Sequence, residues 1–165
     1  MDHDILNWCL EHQKQRHASG YIILGPPGIG KTTFVGEHPH SWIDADNIFS
    51  DLGIHTEDWH LSEHTASEQQ LHYEKCDRAL ERMRACGLWV IGSLFWDVKA
   101  DAIVLLNKSV HAEYVKQRED LDWTRVEEIV QVLADMAQEK AIPVYDTIHA
   151  AVPKPHLKQF VKDKF

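Results

Sequence analysis

A run of residues near the amino terminus contains the motif G-x-x-x-x-G-K-[ST], which binds the phosphates of a nucleoside triphosphate. The run consists of Gly25, Pro26, Pro27, Gly28, Ile29, Gly30, Lys31, Thr32 and Thr33. Glycines let the backbone curl so that successive N–H groups point at an anion, and a following helix adds the positive end of its dipole. In this motif Lys31 reaches the β- and γ-phosphates, and the Thr32 hydroxyl is a ligand of Mg²⁺. We therefore expect a nucleoside triphosphate and Mg²⁺ at this loop.

The residues on either side of the loop predict the strand and the helix that the motif requires. An apolar run predicts a strand over 20–24, and a helix is predicted over 31–37, ended by Gly36 and Pro39. The alternative is a turn rich in glycine and proline that precedes an unrelated lysine. The flanking strand and helix favour the phosphate-binding interpretation.

Strands and helices alternate along the rest of the chain. Further strands are predicted over 41–43, 88–91, 102–106 and 142–145, and further helices over 4–18, 67–85, 110–118 and 124–140. This alternation predicts an α/β fold: a three-layer α/β/α arrangement around an open, mainly parallel, five-stranded sheet. Such sheets bind ligands beyond the carboxyl ends of their strands. Those ends carry the motif run 25–33, called the phosphate loop below, together with Asp44, Ser93 and Asn107.

Two aspartates, Asp44 and Asp46, follow the second predicted strand. Phosphoryl transfer to a hydroxyl benefits from a carboxylate that accepts its proton, and from acidic groups that hold the water ligands of Mg²⁺. The two aspartates can divide these roles. The alternative is a structural role, in which Asp46 or Asn47 caps a short helix that follows.

With the phosphate loop, this aspartate pair resembles the D-x-D of shikimate kinases and the acidic residues of polynucleotide kinases. The chain is similar to the small P-loop kinases over about residues 20–146, and the resemblance implies ATP as the phosphate donor. It implies that Asp46 contacts the acceptor or acts as general base and that Asp44 lies nearer the metal, although these two roles can be exchanged. Ser93 stands where many relatives carry an acidic Walker B residue, and its hydroxyl can hold a metal-bound water. Asp97 follows closely.

The segment that ends in Arg118 resembles the strand and helix that lead into the lid of small P-loop kinases. The resemblance implies a short lid over 118–125, in which Arg118 and Arg125 clamp the transferring phosphoryl group. Alternatively these arginines are solvated and pair with neighbouring acidic residues. Asn107 and Lys108 begin a partial match to the guanine-reading N-K-x-D, but its aspartate is missing, so we do not expect a guanine site.

The composition of the chain limits which binding partners and which cellular compartment are expected. Lys and Arg total 17 against 26 Asp and Glu, a net charge of -9, which disfavours an extended duplex but leaves room for a short nucleic-acid end. Three cysteines without C-x-x-C spacing, Cys9, Cys76 and Cys86, predict free thiols in a reducing, cytoplasmic compartment. The acidic amino terminus and the lack of a long apolar run predict neither a signal peptide nor a membrane segment.

Together these patterns predict one kinase domain over 1–165, with an amino-terminal helix within 1–19 and an acceptor-binding region within 54–87. The predicted activity is transfer of the γ-phosphate of ATP to a hydroxyl of a nucleoside, a nucleotide or a nucleic acid, or of a small metabolite. One alternative is a nucleoside monophosphate kinase, which would depend on acceptor-side arginines more than on Asp46. The long helix carries four cations that could meet an acceptor phosphate if one turn faces the cleft, the alternative being a solvated surface role: Lys75, Arg78, Arg82 and Arg84. A second alternative activity is a nucleotide-binding ATPase switch without a small acceptor.

Overall fold

The computed structural model describes residues 2–54, 63–93 and 97–153. The strands are β1 (Tyr21–Leu24), β2 (Trp42–Asp44), β3 (Trp89–Gly92), β4 (Ala102–Val104) and β5 (Val144–Tyr145). The helices are α1 (Asp2–Glu11), α2 (Lys31–Glu37), α3 (Ala45–Asp51), α4 (Ala66–Ala85), α5 (Lys108–Lys116), α6 (Trp123–Lys140) and α7 (Ile148–Ala151).

The five strands form one parallel sheet in the order β2-β3-β1-β4-β5. Strand β1 is central: Ile23 is in register with Ile91 of β3 and with Ala102 of β4. The apolar runs of these strands are buried, as expected for a parallel sheet covered on both faces. The short strand β5, preceded by Pro143, lies at one edge of the sheet, where a proline that cannot donate to a ladder is tolerated.

Successive strand side chains alternate between two separate apolar cores, which confirms the predicted three-layer architecture. On one face Ile22 and Val90 pack with residues of α1, α3, α4 and α6. On the other face Ile23 and Ile91 pack with residues of α2 and α7. Because the strands are parallel, the segments that follow β1, β2, β3 and β4 meet at one edge of the sheet. The phosphate loop, Asp44, Ser93 and Asn107 occupy that edge.

Two local features differ from the sequence predictions. Helix α1 ends at Glu11 and not at residue 18, because Gln13 adopts a left-handed conformation (φ 54°) and Lys14 N donates to Cys9 O at 2.8 Å. Helix α3 is capped by Asp44, and not by Asp46 or Asn47, because β2 extends to Asp44 and the helix begins at the next residue.

All three cysteines are buried free thiols, as predicted. Among the described helices, none is both long and apolar enough to cross a membrane. Most of the stretch 54–65, which the sequence assigns to the acceptor side, lies outside the described residues, as do residues 154–165.

Candidate phosphate-binding site

The loop between β1 and α2 has a backbone that requires glycine. Gly28 (φ 81°) and Gly30 (φ 94°) both adopt the left-handed conformation that other residues adopt only at a cost. A Cβ atom on Gly25 would lie 2.3 Å from Ile29 Cδ1. Gly25 N donates to Gly92 O at 2.9 Å, which fixes the start of the loop to β3. The motif glycines are therefore needed for the shape of the loop.

Helix α2 begins without a capping side chain. Its N-cap residue is Gly30, which has no side chain that could accept a hydrogen bond from the first turn. The N–H groups of a first turn have no acceptor inside their own helix. Thr32 and Thr33 are exposed in this turn. A loop with left-handed glycines and an uncapped helix start fits a phosphate group, which would accept from these donors.

The Lys31 ammonium lies against the loop and the end of β3. Its Nζ donates to Gly25 O at 2.6 Å, to Pro26 O at 3.0 Å and to Ser93 Oγ at 2.9 Å. The three protons of the ammonium thus have three acceptors, and two of these are carbonyls of the loop itself. The contact with Ser93 brings this predicted site residue directly to the lysine.

The electrostatics of Lys31 identify the charges that surround it. Burial lowers the pKa of Lys31 to about 8, while the carboxylates of Asp46 and Asp44 act to raise it and Arg118 acts to lower it. Asp44 ends β2, the strand that pairs with β3, whose end Lys31 contacts through Ser93. The predicted lysine therefore lies within the electrostatic influence of both predicted aspartates and of one predicted lid arginine.

The two aspartates are held differently. Asp44 caps α3, with its Oδ1 accepting from Asp46 N at 3.0 Å, and it is half-buried. Burial raises the pKa of Asp44, the charge of Asp46 raises it further, and the hydrogen bond and Lys31 act in the opposite direction. Asp46 is exposed on the first turn of α3. Asp44 thus has a structural bond in addition to its place beside Lys31, whereas Asp46 is open to a ligand.

The two predicted lid arginines are not equivalent. Arg118 follows α5 and donates to both carboxylate oxygens of Asp120, at 3.2 and 2.7 Å. Arg125 lies on α6 and donates to Glu128 at 3.1 Å, with its side chain 72% exposed. Arg118 acts on the pKa of Lys31, and Arg125 is not among the charges that do. Arg118 therefore lies within the electrostatic influence of Lys31 while it pairs with Asp120, and Arg125 lies on a solvated helix face.

Other residues singled out in the sequence are engaged elsewhere. Asp97 pairs with Lys140, and its backbone N donates to Asp77 at 2.7 Å, so it does not join Ser93 at the lysine. On α4, Arg82 pairs with an acidic residue of α1, and Arg84 pairs with carboxylates of α4 and of the segment before β4. Asn107 caps α5 by accepting from Ser109 N.

One residue that contacts the loop was missed in the sequence. His111 of α5 is 1% exposed, and its Nε2 donates to Pro27 O at 2.8 Å. His111 lies one helical turn after Asn107, which follows β4, a neighbour of β1. This closeness to a strand end could have suggested a role for His111, but a single histidine on an amphipathic helix matches no functional motif.

Comparison with known proteins identifies no family. No family model matches the sequence, and no curated protein matches it. Among solved structures, the chain is similar to a gluconokinase from Sinorhizobium meliloti 1021, with 13% identity and a TM-score of 0.40 over 79% of this chain and 82% of that one. A likeness this distant assigns no activity.

Proposed function

We propose that this protein is an ATP-dependent phosphotransferase that moves the γ-phosphate to a hydroxyl group. The observation that carries the proposal is the placement of Lys31 and the aspartates at neighbouring strand ends: Lys31 Nζ donates to Ser93 Oγ after β3, and Asp44 ends β2, which pairs with β3. The charges of Asp44, Asp46 and Arg118 act on the pKa of Lys31 in keeping with this placement. Binding of Mg²⁺ at the loop accounts for one carboxylate near the lysine. The second carboxylate suits a hydroxyl acceptor, because the proton of the hydroxyl must be removed as the new bond to phosphorus forms.

The loop supplies the nucleotide contacts. The N–H groups of the loop and of the first turn of α2 would bind the phosphates, and Lys31 would exchange a loop carbonyl for a phosphate oxygen. Thr32 would hold Mg²⁺ directly, with Asp44 and Ser93 holding its water ligands. When bound, Mg²⁺ neutralises charge on the β- and γ-phosphate oxygens. Arg118 would add positive charge beside the transferring group.

Asp46 is the proposed general base. It is exposed at the site, whereas one oxygen of Asp44 already accepts the bond that starts α3. Asp46 would orient the acceptor hydroxyl and take its proton as the oxygen–phosphorus bond forms. The bond from the γ-phosphorus to the bridging oxygen breaks in the same step, and ADP leaves with that electron pair.

We favour a hydroxyl acceptor over a nucleoside monophosphate chiefly on the two aspartates. An acceptor phosphate is already ionised and needs cations more than a base. Of the four α4 cations that could meet it, Arg82 and Arg84 pair with carboxylates of this chain, whereas Lys75 and Arg78 are exposed. The acceptor is proposed to be a nucleoside, a nucleotide, a short nucleic-acid end or a small metabolite, and the buried free thiols support a cytoplasmic location.

The test measures transfer of label from ATP by the Asp46→Asn variant to an acceptor that the wild-type protein phosphorylates. We expect turnover to fall by about 100-fold or more, the usual contribution of a general base, with little change in the affinity for ATP. Asn47→Ala, at the next exposed position of α3, is the matched control and should retain turnover. Undiminished turnover in Asp46→Asn would exclude Asp46 as the base and favour an acceptor that is already ionised.

A further inference from the structure

We propose that His111 is a positioning residue that sets the orientation of the phosphate-binding backbone by holding the Pro27 carbonyl. The inference rests on the proposed function to the extent that it assigns the loop a triphosphate ligand. It concerns a side chain from a different part of the chain, 84 residues away in sequence.

The contact between His111 and the loop is buried and directional. The imidazole is 1% exposed, and its Nε2 lies 2.8 Å from Pro27 O. A carbonyl oxygen can only accept, so Nε2 carries the proton. The ring of Trp123, at the start of α6, meets the imidazole edge to face with 5.2 Å between centroids. The imidazole is therefore held on one side by the loop and on another by the next helix.

The neighbouring residue of the loop is packed under the same helix. A Cβ atom on Gly28 would lie 2.9 Å from Val115 Cγ2, 3.4 Å from Leu121 Cδ1 and 3.8 Å from His111 Nε2. Helix α5 and the connection after it thus cover the outer side of the Pro27–Gly28 peptide. Without the hydrogen bond from His111, the Pro27 carbonyl would be turned toward this apolar packing with no donor.

The orientation of this carbonyl determines where the next N–H points. The Pro27–Gly28 peptide is trans, and in a planar trans peptide the C=O and N–H groups point in opposite directions. With Pro27 O directed at His111, the Gly28 N–H is directed away from His111, and in this proposal that is the side of the loop that binds phosphate. No backbone carbonyl within the described part of the chain accepts from it. His111 therefore prepares one N–H donor for the ligand.

A peptide flip is the motion that this bond prevents. Gly28 has no Cβ, so rotation of the Pro27–Gly28 peptide meets little resistance from the glycine itself. A flipped peptide would present a carbonyl oxygen, and not an N–H, to an anionic ligand. The hydrogen bond from His111 costs nothing at the moment of binding because it is already formed in the free protein, which is how a preorganised site gains affinity.

The experiment measures equilibrium binding of ATP and of pyrophosphate to the folded chain and to three variants. His111→Leu places an apolar side chain without a hydrogen-bond donor at this position, and His111→Gln provides an amide N–H near the position of Nε2. Ile5→Val, in the distant helix α1, is a control for a general loss of packing. We expect His111→Leu to bind both ligands about ten-fold more weakly, the effect of losing one charge-assisted hydrogen bond. We expect His111→Gln and Ile5→Val to remain within about three-fold of the wild-type affinity.

A spectroscopic readout separates this role from packing. The Gly28 amide resonance should shift on addition of pyrophosphate in the wild-type protein and in His111→Gln, and should shift less in His111→Leu. Wild-type affinity in a folded His111→Leu variant, or equal weakening in His111→Gln and His111→Leu, would overturn the inference. Binding is measured apart from transfer, so a chain that shows these affinities but phosphorylates no acceptor would contradict the proposed function alone.

Discussion

The lowered pKa of Lys31 predicts that the affinity for ATP decreases at mildly alkaline pH. Burial lowers this pKa to about 8, whereas bound triphosphate would keep the ammonium charged. ATP therefore binds best to the form in which Lys31 is protonated, and that form is lost as the pH rises through about 8. For one such group the affinity should fall about ten-fold between about pH 7 and about pH 9, and by little below about pH 7.

Among the other groups with shifted pKa values in the described part of the chain, Lys14 is the one whose pKa burial also lowers, and it therefore provides a control variant. Burial raises the pKa values of the thiols of Cys9, Cys76 and Cys86 and raises that of Tyr21 to about 12. The γ-phosphate of ATP has already lost its last proton near pH 7, because the second pKa of a phosphate monoester is about 6. The unfolded chain retains the Lys31 proton up to the ordinary lysine pKa. Lys31 by itself therefore makes the free energy of unfolding rise with pH above about 8, since the unfolded state binds its proton more tightly. The three thiols and Tyr21 act in the opposite direction, because the unfolded state loses their protons at a lower pH than the folded state does.

The assay is a titration of the protein with ATP across this pH range at constant ionic strength. Lys31→Arg should give a flat pH profile, because guanidinium does not titrate in this range. Lys14→Arg should keep the wild-type profile, because Lys14 Nζ donates to Pro39 O and Trp42 O and not to the loop. A wild-type affinity that is constant from about pH 7 to about pH 9 would refute the reasoning about the burial of Lys31.

Three further predictions concern single side chains. Asp44→Ala should lower the free energy of unfolding, measured by denaturant titration, by about 1 kcal/mol through loss of the α3 cap. Asp44→Asn keeps a capping side chain, so its free energy of unfolding should stay within about 0.5 kcal/mol of the wild-type value, but it should lose turnover in the transfer assay. Gly28→Ala should destabilise the protein by about 1–3 kcal/mol and weaken ATP binding. The φ of Gly28 is 81°, which other residues rarely adopt, and the new Cβ would lie 2.9 Å from Val115 Cγ2. Wild-type stability and wild-type affinity in this variant would contradict the prediction. The buried cysteine thiols should react with a disulfide reagent far more slowly in the native protein than in denaturant, and equal rates would contradict their burial.

The sequence predicted the sheet well because parallel strands buried on both faces form continuous apolar runs between helices. Strand β1 and helix α2 were predicted almost to the residue, since the phosphate loop between them has a fixed length and a glycine at each turn. Helix α1 was predicted too long, because its end depends on the left-handed conformation of Gln13, which no glycine or proline signals.

The site was predictable only where residues adjoin the loop or follow a neighbouring strand. Asp44, Asp46 and Ser93 met these conditions: Ser93 Oγ accepts from Lys31 Nζ, and the charges of the two aspartates act on the pKa of Lys31. The partner of Pro27 could not be predicted, because the approach of His111 depends on how α5 packs over the loop. The difference between Arg118 and Arg125 is likewise set by the ends of α5 and α6, which sequence patterns locate poorly.

The most direct test of the proposed function is transfer of label from γ-labelled ATP to a panel of acceptors. The panel should contain nucleosides, nucleoside monophosphates, oligonucleotide ends and small hydroxylated metabolites, each with the wild-type protein and with Lys31→Ala. We predict that label appears in at least one hydroxyl acceptor with the wild-type protein and in none with Lys31→Ala. Tight binding of ATP without label in any acceptor would contradict the account and favour a nucleotide-binding switch.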